Sequence, residues 1–146
     1  MEKSFLEFNK EILIGELGAI ISAPLVSFIT SKLTDSANAI STSAVLGSLV
    51  GGSLLWLATR AYDKERHKTL SINHMAEDVG YFTPVAFLIA VFISYPTLFL
   101  LSHHLLVQKD LVIYSIIISE ATAFLLFLVA INIYRYFLWK LIGKKL

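Results

Sequence analysis

The chain has no cysteine. Disulfides, thiolate nucleophiles and cysteine-ligated metals are therefore excluded. Charge is scarce too: Asp, Glu, Lys and Arg make up 16% of residues, and the formal net charge is +1. A nucleic-acid-binding protein concentrates basic residues on one patch. Here they are scattered near the ends of apolar runs, so no nucleic-acid partner is expected. The N-terminal MEKSFLEFNKE has neither the basic n-region nor the small-residue cleavage site of a signal peptide, so the first apolar run is expected to be retained. No nucleophile elbow, phosphate loop, HExxH or dinucleotide fingerprint occurs. The usual grounds for proposing an enzyme or a cofactor are missing.

What the chain does have is apolar residue content. It is 56% hydrophobic, with a mean hydropathy of +0.72. A soluble domain must cover its surface with polar groups and rarely carries so much. The apolar residues form four runs, at 12–33, 39–59, 81–102 and 111–137, separated by a polar segment at 60–80 and two short turns. Each run is near the ~20 residues that a bilayer crossing needs. The expectation is an all-α, four-span integral membrane bundle forming one domain, with the bilayer as its main partner.

Basic residues orient such a chain. Lys3, Lys10, Arg60, Lys64, Arg66, Lys68, Arg135, Lys140, Lys144 and Lys145 fall on the side of the two termini, against Lys32 and Lys109 on the other. Both termini are expected in the cytoplasm, and the protein in the plasma or inner membrane.

Shifting the chain by 72 positions lays ISAPLVSFITSKL over ISYPTLFLLSHHL. Ile21, Ser22 and Pro24 then meet Ile93, Ser94 and Pro96, and Ser43 meets Ser115. Two two-helix units in the same orientation are expected, related by an axis along the membrane normal. Pro24 and Pro96 would supply matched hinges.

Span 2 reads AISTSAVLGSLVGGSLL. Ala39, Ser43, Gly47 and Gly51 recur every fourth residue, with Ser48 and Gly52 in a row beside them. In lipid, helices associate through close contact between small residues, so this ridge is expected to pack on another helix. The partner helix can belong to this chain or to another copy.

Glu120 is the only charge between Leu111 and Ile131. At 1.5 Å per residue it lies about 13 Å from the end of its span, near the bilayer midplane. Placing an ionised carboxylate there costs at least ~2.5 kcal/mol, so it must face protein or water. Ser119 and Thr122 flank it, and the repeat puts Ser48 at the equivalent position. With Ser22, Ser94 and Glu16 these residues form a candidate polar path. Glu16 lies only a turn into span 1, where an interfacial, solvated position is the simpler reading. His103, His104 and Asp110 at one rim, and His74 and Asp78 in the long loop, do not have the spacing of a metal site.

Span 4 closes in INIYRYFLW, with Asn132, Arg135 and Phe137. In this, and in its length and layout, the chain is similar to the four-span GtrA-type proteins implicated in moving polyprenyl-linked sugars. Glu16 in span 1 is also similar to the glutamate of small multidrug exporters, from which the long charged loop sets the chain apart. Either resemblance implies transport. The residues themselves point first to a carrier or channel. A non-catalytic subunit of a larger membrane complex comes second, and a lipid-modifying enzyme third. Association with itself or with other membrane subunits is expected.

Overall fold

A computed structural model of the protein describes residues 5–66, 84–108 and 111–142. Four helices account for nearly all of them: α1 (Phe5–Ser31), α2 (Ala37–Arg66), α3 (Pro84–Val107) and α4 (Val112–Ile142). No strand occurs among the described residues. Each helix contains a segment long and apolar enough to cross a membrane: Ile12–Ser31, Ala37–Thr59, Pro84–Val107 and Val112–Phe137. A helix is the natural form for such segments, because it satisfies its own backbone groups where no water is available.

The short turn between α1 and α2 is fixed by local hydrogen bonds. The Thr34 N–H returns to Thr30 O at 3.0 Å, which ends α1. Ser36 then serves as the N-cap of α2, its Oγ accepting from the Ala39 N–H at 3.4 Å. At its other end α2 continues past its apolar segment to Arg66, through the charges that follow Tyr62. The rest of the polar loop lies outside the described residues, and with it His74 and Asp78. Lys109 and Asp110 lie outside them too.

The third apolar segment ends later than the sequence suggests, and its expected first residues, 81–83, lie outside the described residues. It passes through His103 and His104 to Val107. The histidines do not break it, because Leu105, Leu106 and Val107 resume the apolar run and His103 stacks on Phe99 one turn earlier, ring centroids 6.1 Å apart.

The two prolines act differently. Pro24 sits within a continuous α1. Before Pro96, residues Ala90–Ser94 widen into a π turn, with the Tyr95 N–H bonded to Ala90 O. Proline has no N–H to offer and crowds the carbonyl four residues back, and the wider turn relieves both problems. Thr97 Oγ1 serves the nearby Ile93 carbonyl at 2.7 Å.

The helices pack in cyclic order, α1 against α2 and α4, and α3 against α4 and α2. Helices α2 and α4 brush across one diagonal. Two apolar clusters fill the interior. Toward the end with the two hairpin turns, Ala23, Ala44, Leu98, Ile116 and Ala123 pack together. Toward the end with the chain termini, Ile12 and Ile131 pack with Ala86, Ile89 and Phe127.

Candidate functional site: a carboxylate cleft between the helices

The α1–α2 seam sets the geometry of everything beside it. The small-residue ridge of α2 packs on α1 of the same chain. A Cβ at Gly47 would stand 2.9 Å from Ala23 Cα, and one at Gly51 would run into Ser22 Oγ and Gly18 O. Only Gly52, whose Cβ would be 3.6 Å from that of Ala19, has ordinary room. Ser22 belongs to this seam, its hydroxyl 2.6 Å from Gly47 O and 2.7 Å from Gly18 O. One turn nearer the hairpins, Ser43 Oγ donates to Ile40 O at 2.7 Å and lies 3.4 Å from Ser27 Oγ. Ala39 is half-buried at the start of the same ridge.

The second row of the ridge faces the bundle centre. Ser48 Oγ donates to Glu120 Oε1 at 2.7 Å across the α2–α4 diagonal. Glu120 is only 2% exposed. Its Oε2 is buried without a hydrogen-bond partner among the described residues. Ser119 and Thr122, its sequence neighbours, turn back on their own helix, to Ser115 O at 2.6 Å and Ile118 O at 2.9 Å.

Between Ser48 and the termini end lies a cleft of about 340 Å³. Glu16 lines it from α1, Ser48 and Trp56 from α2, Ser94 and Tyr95 from α3, and Phe124 and Phe127 from α4. Glu16 is therefore turned into the bundle and not out to the membrane surface. Its Oε1 is buried and has no hydrogen-bond partner among the described residues. Glu120 lies near Glu16 and Tyr95. No Lys, Arg or His among the described residues lines the cleft. Among the described residues no group of three metal-ligating side chains comes together.

Of the residues proposed from sequence for a polar path, Glu16 and Ser94 line the cleft, and Glu120 reaches it through Ser48. Ser22, Ser119 and Thr122 do not line it. The aromatic walls were not foreseen. A signal for them exists, since Glu120, Phe124 and Phe127 follow at helical spacing and so share a face.

The chain matches no protein-family model, and comparison with curated proteins and with solved structures finds no match.

Proposed function

We propose that the protein is a membrane carrier for a cationic solute, with the Glu16–Ser48–Glu120 constellation as its binding centre. The observation that carries this reading is a carboxylate cleft confined to one half of the bundle. The cleft lies toward the termini end and reaches Ser48, whose hydroxyl holds Glu120. The hairpin half is packed with Ala23, Ala44, Leu98 and Ile116. A polar centre with space on one side and close packing on the other is what alternating access requires of a single state.

Two carboxyl groups, with no basic side chain among the described lining residues, favour a cation. A proton competes for the same oxygens, so cation binding weakens as the carboxyls protonate. With the termini in the cytoplasm, as the basic residues imply, the cleft faces inward. The cyclic helix order agrees with two hairpin units about a central axis, and Ser48 and Glu120 are 72 residues apart, the proposed repeat length. Rocking one unit against the other would close the cleft and open the hairpin half.

The reading as a non-catalytic subunit loses its main support, since α1 of the same chain covers the ridge that would have met a partner. The test is flux of an organic cation in proteoliposomes under a pH gradient, comparing wild type with Glu120→Gln. Cation-dependent flux that the substitution abolishes is expected. Unchanged flux, or none in the wild type, overturns the reading.

A further inference from the structure

We infer that the cleft takes an amphipathic organic cation from the lipid leaflet itself, sideways through a gap between α2 and α3. This deepens the carrier reading and rests on it for the ligand's onward path, but binding can be measured without flux.

The gap follows from the π turn. Helix α3 approaches α2 closely through Tyr95–Val107, whereas the backbone of Ala90–Ser94 lies close to α4 and not to α2. The α3 backbone therefore leaves α2 at the π turn, level with the cleft. The rim shows the same opening. The lining residues Ser53 of α2 and Phe87 of α3 are exposed, Phe87 by 57%, whereas Gly15 and Ala19 on the α1 wall are buried. Ser53 and Phe87 lie within the segments Ala37–Thr59 and Pro84–Val107, so the mouth opens toward hydrocarbon.

The lining sets the ligand's chemistry. Its walls are mostly apolar and aromatic, with Trp56, Tyr95, Phe124 and Phe127 available to an apolar body or to the face of a cation. A small hydrated ion would have to exchange its water shell for oxygens, which such walls do not supply. The charge it meets is carboxylate, and Glu16 Oε1 is buried with no partner among the described residues. At about 340 Å³ the cleft falls at the small end of the ~300–1,000 Å³ typical of organic-ligand sites. An ammonium group on an aryl or short alkyl body fits these requirements, and anionic lipid headgroups do not.

The experiment uses the full chain in nanodiscs with Trp139→Phe, so that Trp56 is the sole tryptophan and reports on the cleft. Four probes are titrated: 4-phenylbutyltrimethylammonium, tetramethylammonium, 4-phenylbutanol and 4-phenylbutanesulfonate. Saturable change in Trp56 emission is expected for the first, with affinity about ten-fold or more above the others. Glu16→Gln is expected to weaken it by a similar factor. Lipids brominated in mid-chain are expected to quench Trp56, and the bound cation to protect it. Ala90→Phe, which adds bulk to the α3 wall where the cleft meets the gap, should reduce both quenching and binding rate. Equal binding of tetramethylammonium or the sulfonate, undiminished affinity in Glu16→Gln, or no bromolipid quenching would overturn the inference. Flux of a small cation without such binding would leave the carrier reading standing and remove this one. Binding without flux would do the reverse.

Discussion

Ser48 and Glu120 join α2 to α4 across the middle of the bundle, Ser48 Oγ donating to Glu120 Oε1 at 2.7 Å. Apart from this diagonal the two helices barely meet. The bond therefore couples the two hairpins at the point where the cleft stops, and it does so with a residue whose second oxygen has no partner among the described residues.

Structural and functional roles of this pair can be separated by substitution. Ser48→Ala leaves both Glu120 oxygens unpartnered. Interhelical hydrogen bonds in membranes average about 0.6 kcal/mol and reach ~1.7, and the buried acid puts this one in the upper part of that range. A loss of about 1 kcal/mol is expected, measured by reversible unfolding in mixed micelles. Glu120→Gln keeps an acceptor for Ser48 and should cost little stability, yet it removes the charge and should abolish cation flux. A stable, fully active Glu120→Gln would leave the residue with a packing role alone.

The α1–α2 seam makes a graded prediction. Alanine at Gly47 or Gly51 must displace α1 backbone or Ser22, and overpacking of this kind costs about 1–3 kcal/mol. Gly52→Ala meets only ordinary contacts and gains helix propensity of up to ~1 kcal/mol. Thermal unfolding in detergent should rank Gly52→Ala at or above wild type and the other two clearly below. Equal effects at all three positions would mean that the seam is not so tightly closed.

The coarse architecture was legible because solvent dictates it. Four runs of about 20 apolar residues have few alternatives in hydrocarbon. The ridge of Gly47, Gly51, Ser48 and Gly52 was legible for the same reason, but its partner was not, since small residues promise close approach without saying to what. The inward turn of Glu16 was not legible, because depth along a straight helix says nothing about the side that faces inward. Ala19, Ala23 and Ser27, all on its face, are buried and mark that side. The end of α3 was set too early because His103 and His104 read as a boundary. The π turn was not legible either. Pro24 and Pro96 have the same local motif, ISxP, and only Pro96 is preceded by widened backbone.

That difference predicts unequal consequences for the two prolines. Pro96→Ala restores an N–H and removes the crowding at Phe92, so Ala90–Ser94 can return to regular α-helical bonding. The inner half of α3 would then rotate relative to α2, and the gap beside the cleft would narrow. Cation flux should fall several-fold while the protein remains folded. Pro24→Ala in the continuous α1 should change flux much less. Hydrogen exchange at the Ala90–Tyr95 amides checks the cause, since slower exchange should accompany the loss of flux in Pro96→Ala.

The absence of cysteine makes access to the cleft directly measurable, because any thiol introduced is the sole reactive one. Ser94 lines the cleft and is half-buried, whereas Ser41 and Ser115 are fully buried in the hairpin half. A thiol reacts as its thiolate and therefore needs water to reach it. In inside-out vesicles Ser94→Cys should react with a membrane-impermeant trimethylammonium methanethiosulfonate, and in right-side-out vesicles it should react far more slowly. Ser41→Cys and Ser115→Cys should resist the reagent from both sides. Protection of Ser94→Cys by 4-phenylbutyltrimethylammonium, and not by the sulfonate, would tie the labelled space to the carboxylates. Fast labelling of Ser115→Cys from the hairpin side would show that the Leu98–Ile116 packing does not close that half, and the protein would then behave as a channel and not as a carrier.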